Sequence, residues 1–209
     1  MNRAREEPER VSDRIEGWAR GEGPKTLGSL IDLFEEKSFA VIFVILLGVP
    51  ALPIPTGGAT HVFEIIAMLM ALQLIVGREQ VWLPQRWRKM GLAGSKQTRF
   101  MSALVKVIRW LERLSRPRLS WLFDHRVSNA CFGVLILLLS VGAFVAPPFS
   151  GLDTLPALGA VLVALAVLLE DFLVLVAGLL AGASGIILEV VLGRAALHGA
   201  TQLFSAILA

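Results

Sequence analysis

Residues 39–77 read FAVIFVILLGVPALPIPTGGATHVFEIIAMLMALQLIVG, two apolar runs on either side of a centre broken by Pro50, Pro53, Pro55, Gly57 and Gly58. The only ionisable residues in the stretch are His61 and Glu64, just past the break. A soluble core has no use for so long an apolar block, whereas a bilayer accepts one when its backbone polar groups are paired within helices or against protein. Each arm, 39–54 and 62–77, covers about 24 Å as a helix, less than the roughly 30 Å hydrocarbon core. The arms therefore either span a locally thinned bilayer or form a re-entrant hairpin. The prolines favour an irregular tip, because each removes a backbone donor and restricts the residue before it.

Working outward, the whole chain fits this setting. It has 209 residues, is 55% hydrophobic and has a mean hydropathy of +0.68, well above a soluble norm. An all-α integral membrane fold is expected, in five parts: interfacial N-terminal helices (1–38), a first membrane hairpin (39–77), a basic Trp-rich connection (78–127), a second hairpin (128–171) and C-terminal membrane helices (172–209). The lone Cys131 lies in an apolar run and reads as a packing residue. The charged first 36 residues do not resemble a cleavable leader.

In the N-terminal part, Val11, Ile15 and Trp18 share one helical face, Gly21, Gly23 and Pro24 break the run, and Thr26 is placed to cap a second helix presenting Leu27, Leu30, Ile31 and Phe34. A surface-lying helix or a partner-binding arm is expected. In the connection, residues 99–115 pattern as an interfacial amphipathic helix, with Phe100, Leu104, Val107, Ile108, Leu111 and Leu114 opposite Lys106, Arg109 and Arg113. Trp18, Trp82, Trp87, Trp110 and Trp121 all fall outside the apolar blocks, as interfacial anchors do. Anionic head groups are the expected partner of this region. Nucleic acid is not, since no nucleic-acid-binding motif accompanies the basic residues.

The two halves match without gaps at an offset of 93: Phe39 on Phe132, Pro55 on Pro148, Gly58 on Gly151, Ala67 on Ala160 and Ala71 on Ala164. An internal repeat of two Pro/Gly-broken hairpins follows, with Pro147, Pro148 and Gly151 at the second break. Such repeats are common in transporter-like folds, where interrupted helices meet at the substrate site. Residues 78–127 hold twelve Lys or Arg against three acids, so the N-terminus, the connection and Arg194 are expected on the cytoplasmic side. The sequence leaves open whether the halves run parallel or inverted.

His61 and Glu64 share a helical face, and an acid inside an apolar span is by default a functional candidate. Asp153 and Thr154 occupy the matching place in the second half. Thr60, His61, Glu64, Asp153 and Thr154 are thus the candidates for a substrate or ion site, with His61 able to titrate near neutral pH. Other readings compete: Glu64 as a helix-start acid, Asp153 as an N-cap, Glu170-Asp171 as a solvated turn or salt bridge to the connection, and Glu189 as a head-group-level acid or a buried relay. Gln73 reads as an interhelical hydrogen-bond donor. Ala67, Ala71, Ala160, Ala164, Gly178 and Gly182 read as close-packing positions, within the chain or across a homodimer. No metal site, cofactor or catalytic residue is expected, because no phosphate-binding loop, nucleophile elbow or zinc-spaced Cys/His set is present.

LLGVPALPIPTGG, MALQLIVGREQVWLP, ERLSRPRLSWL and LPALGAVLVALAVLLEDF together resemble the ExoD family of bacterial exopolysaccharide-synthesis membrane proteins. The residues that carry this are Pro53, Pro55, Gly57, Ala71, Leu72, Gln73, Gly77, Arg78, Trp82, Leu83 and Pro84. The second break, Pro147-Pro148 before Phe149, departs from the family's spaced prolines. The resemblance implies a multi-pass protein of the bacterial inner membrane linked to exopolysaccharide production, without fixing a molecular activity. A non-enzymatic, transporter-like protein with a polar pocket between the tips is the leading expectation. A scaffold for the polysaccharide machinery is the alternative, and an enzyme acting on lipid-linked sugars through Glu64, Asp153 and Glu189 is the third.

Overall fold

The computed structural model describes residues 10–34, 37–52, 60–78, 80–92, 95–115, 126–147 and 150–208. Among the described residues the regular elements are all helices: α1 (Val11–Arg20), α2 (Leu27–Leu33), α3 (Ser38–Gly48), α4 (Thr60–Ile75), α5 (Gln85–Arg88), α6 (Ser95–Leu114), α7 (Arg126–Val145), α8 (Thr154–Leu169) and α9 (Phe172–Leu208). Pro53, Pro55, Gly57, Gly58 and Pro148 lie outside the described residues.

Two helical segments, Ser128–Val145 and Phe172–Ala195, are long and apolar enough to cross a membrane. Helices α3 and α8 sit at the centre, buried almost all round. Helices α4, α7 and α9 surround them with apolar faces turned outward. On α4, Val62, Ile65, Leu69, Leu72 and Val76 are exposed at helical spacing, and on α7 Val134, Leu138, Val141 and Val145 repeat the pattern. A water-facing helix carries polar residues there, so these stripes suit lipid.

Helix polarity follows from contacts at the ends. The His61 and Phe144 rings are 5.1 Å apart, while at the other end of the same pair Gly133 lies against Ala71 and Ile75. Helix α4 is thus antiparallel to α7. Lys37, at the start of α3, donates to the Leu168 carbonyl at the end of α8, 3.3 Å away, so α3 is antiparallel to α8. The start of α4 and the end of α7 therefore share one end of the bundle.

Helices α8 and α9 make a tight antiparallel hairpin through glycine. A Cβ at Gly159 would stand 2.5 Å from the Gly182 Cα, and one at Gly185 2.5 Å from the Pro156 Cδ. Ala67, Ala71, Ala160 and Ala164 are fully buried. These small-residue faces pack within the chain.

Two helix ends use left-handed residues. Gly77 (φ 86°) closes α4, with its amide on Leu74 O and the Arg78 amide on Gln73 O at 3.0 and 3.1 Å, a Schellman closure. Glu170 (φ 53°) closes α8, its neighbour Asp171 donating to Ala166 O at 3.1 Å.

Several expectations are corrected. Residues 195–208 are not a separate helix but continue α9, which passes the first turn of α8 near Ile187 and carries on. Arg194 consequently lies past the tip end, opposite the connection. Gln73 bridges no helix pair: its side chain donates to Trp82 O at 3.2 Å and accepts from Trp82 N at 3.0 Å, clipping the connection to α4. Trp18 donates to Ser29 Oγ at 3.1 Å, joining α1 to α2. Helix α6 buries Met101, Val105, Ile108 and Leu111, whereas Val107 and Leu114 are exposed. Its partner is α1, through Ser12 N to Glu112 Oε1 at 3.0 Å and an Arg109–Glu16 ion pair.

Thr26 caps α2 as expected, exchanging hydrogen bonds with Ser29 in a capping box. The α2 face of Leu27, Leu30, Ile31 and Phe34 is buried.

Candidate functional site

The polar groups at the tip end belong to three elements. Helix α4 opens with Thr60, which is buried, and one turn in carries His61 and Glu64 on one face. The His61 Nδ1 and Glu64 Oε2 atoms are 2.7 Å apart. The Glu64 side chain is 0% exposed and the His61 side chain 24%. The imidazole also tilts against Phe144 of α7. Glu64 Oε1 is buried with no hydrogen-bond partner, a costly state for an ionised carboxylate in an apolar setting.

Asp153 stands at the N-cap position of α8 but makes no side-chain cap bond. Its backbone is α-helical (φ −59°, ψ −26°), not extended as a capping residue requires. The N-cap expectation is therefore not met. Thr154, half-buried, begins the helix. Gly151, at φ 68°, turns the chain into it, while Pro147 O accepts from Ser150 N at 3.1 Å and Ser150 Oγ at 2.6 Å.

The third element is α9. The glycine-packed register brings its Glu189 to the tip end, where it lies within electrostatic reach of both Asp153 and Glu64. Glu189 Oε1 is buried and has no hydrogen-bond partner. The tip thus gathers His61, Glu64, Asp153 and Glu189. Ser140 of α7, fully buried with its Oγ unpartnered, is level with Glu64 in the α4–α7 register. Among the described residues no three His, Cys, Asp or Glu side chains are arranged to hold a metal ion.

The convergence of Glu189 was not readable from its position in the sequence. The signal lay in the Gly178, Gly182 and Gly185 series, which sets how far α9 slides along α8. Glu170 and Asp171 separate in role. Glu170 pairs with Lys37 at 2.6 Å, tying the N-terminal part to the end of α8 rather than bonding the connection. Asp171 is buried and accepts from Leu173 N at 2.8 Å, starting α9.

Comparison with known proteins adds the following. A family model described as exopolysaccharide synthesis, ExoD, matches residues 11–191. An uncharacterized protein of Synechocystis is 29% identical over 167 residues, covering 80% of this chain and 74% of that one. No solved structure matches.

Proposed function

Since the chain belongs to the ExoD family, we propose that it serves exopolysaccharide synthesis as a transporter-like, multi-pass membrane protein whose working site is the polar tip end of the bundle. The observation that carries this reading is Glu64: a fully buried carboxyl, held by His61 at 2.7 Å, with one oxygen unpartnered. A group so expensive to bury is retained in apolar surroundings for function more readily than for stability. Thr60, Asp153 and Thr154 complete the site for a small solute or ion.

The duplication reading supports the site's location. Helix α3 pairs with α8 as α4 pairs with α7, an arrangement unchanged when the halves are exchanged. The left-handed closures at Gly77 and Glu170 are again 93 residues apart. On this reading the halves are parallel copies that bring both tips to one membrane face. The N-terminus and connection face the cytoplasm, as the basic excess of the connection favours.

The scaffold reading draws on the connection, but two of its arginines are already used internally, Arg109 with Glu16 and Arg88 with Asp32. Complementation separates the two readings. In a strain lacking the gene, Glu64→Gln and His61→Ala lose polymer output while Arg109→Ala and Arg113→Ala retain it. The reverse pattern assigns the function to the connection.

A further inference from the structure

We propose that the tip end is a proton-binding site in which the His61–Glu64 pair carries the proton and Glu189 of α9 is the third member, an inference that rests on the transporter-like reading and names its ligand. Glu64 Oε1 and Glu189 Oε1 are both buried without partners. An ionised carboxylate in that position needs a counter-charge or a proton.

The surroundings decide which. Helix α3, from Ser38 to Gly48, contains no charged residue, and α7 carries only Arg126, at its far end. The remaining groups facing Glu64 are His61 on its own helix and the acids Asp153 and Glu189. No described Lys or Arg pairs with Glu64, so an anionic sugar or phosphate brought to this carboxyl meets the like charges of Asp153 and Glu189. The acids influence one another electrostatically yet are not arranged as metal ligands. A proton needs no coordination shell and neutralises a buried carboxyl where it stands.

His61 gives the proton a route. Its ring is partly exposed and its Nδ1 is 2.7 Å from Glu64 Oε2. A proton taken up by the ring from solvent yields imidazolium. Breaking Nδ1–H and forming Oε2–H then leaves neutral imidazole beside a neutral carboxyl. Because α9 supplies Glu189, proton occupancy also bears on how α9 is seated against α8.

The test is infrared spectroscopy of the full chain in lipid nanodiscs, titrated with pH. The wild type shows the carbonyl stretch of a protonated carboxyl, which disappears as pH rises. Glu64→Gln loses the band, Glu64→Asp keeps it, and Glu189→Gln shifts the pH at which it titrates. Exchanging sodium for N-methylglucamine leaves it unchanged. A wild type without a titrating band, a band that survives Glu64→Gln, a titration indifferent to Glu189→Gln, or one abolished by sodium overturns the proposal. Polymer output lost in Glu64→Gln without any titrating band overturns the proton assignment alone. A titrating band with polymer output unaffected overturns the transporter-like reading alone.

Discussion

At Glu64 one hydrogen bond stands between a buried carboxyl and isolation. Removing His61 strips that bond, so His61→Ala is expected to destabilise the fold by about 1–3 kcal/mol, read as a lower midpoint of thermal unfolding in detergent. Replacing both partners, His61→Leu with Glu64→Leu, is expected to recover most of that loss while leaving polymer output absent, since two apolar groups leave nothing unsatisfied. A double variant as unstable as the single one would show that the pair contributes to folding beyond its mutual bond. At the opposite end of the molecule, Thr26→Ala removes the capping box of α2 and is expected to cost about 1 kcal/mol, measured by the same melt. All three residues were legible in the sequence: Thr26 from its place before an apolar face, His61 and Glu64 from their isolation in an apolar run. The capping reading of Asp153 fails, because a helix-start position implies capping only when the backbone is extended, and here it is α-helical with no cap bond.

Among the elements, the α8–α9 hairpin is the most constrained, and its glycines differ in what opposes them. A Cβ at Gly159 would meet backbone, the Gly182 Cα at 2.5 Å. A Cβ at Gly182 would meet the Leu139 side chain, which can rotate or be trimmed. Gly159→Ala is therefore expected to cost about 1–3 kcal/mol with no rescue by Leu139→Ala, whereas Leu139→Ala lessens the added cost of Gly182→Ala. Denaturant-induced unfolding of the three single variants and the two doubles checks this, with Gly23→Ala, which meets nothing within 4 Å, as the control. Helix existence was readable from apolar period and breakers. Helix slide was not, because it depends on which glycine faces which backbone across two elements, information that no single segment carries. The same reason hid the Gln73–Trp82 clip, whose two ends lie nine residues apart across the left-handed turn at Gly77.

For the whole molecule, the contacts at helix ends place the start of α4 and the end of α7 together, and the course of α9 past the first turn of α8 carries Arg194 beyond that end, away from the connection. In a Cys131→Ser background, Ser150→Cys and Arg194→Cys are expected to react with a membrane-impermeant thiol reagent from one side of the membrane, and Met90→Cys from the other. Labelling of Arg194→Cys and Met90→Cys from the same side would refute the multi-pass arrangement. The sequence supplied the basic connection as an orientation signal, but Arg194, a single cation, could not be placed from charge alone; the antiparallel return of α9 places it.

At 37 residues, α9 is roughly 55 Å long against a hydrocarbon core of about 30 Å. With its first turn seated at the connection side, its last turns stand well clear of the opposite head groups. On the proposed multi-pass reading, a reporter enzyme joined after Leu208 is held on a rigid stalk in the compartment opposite to the one sampled by a reporter joined ahead of α1.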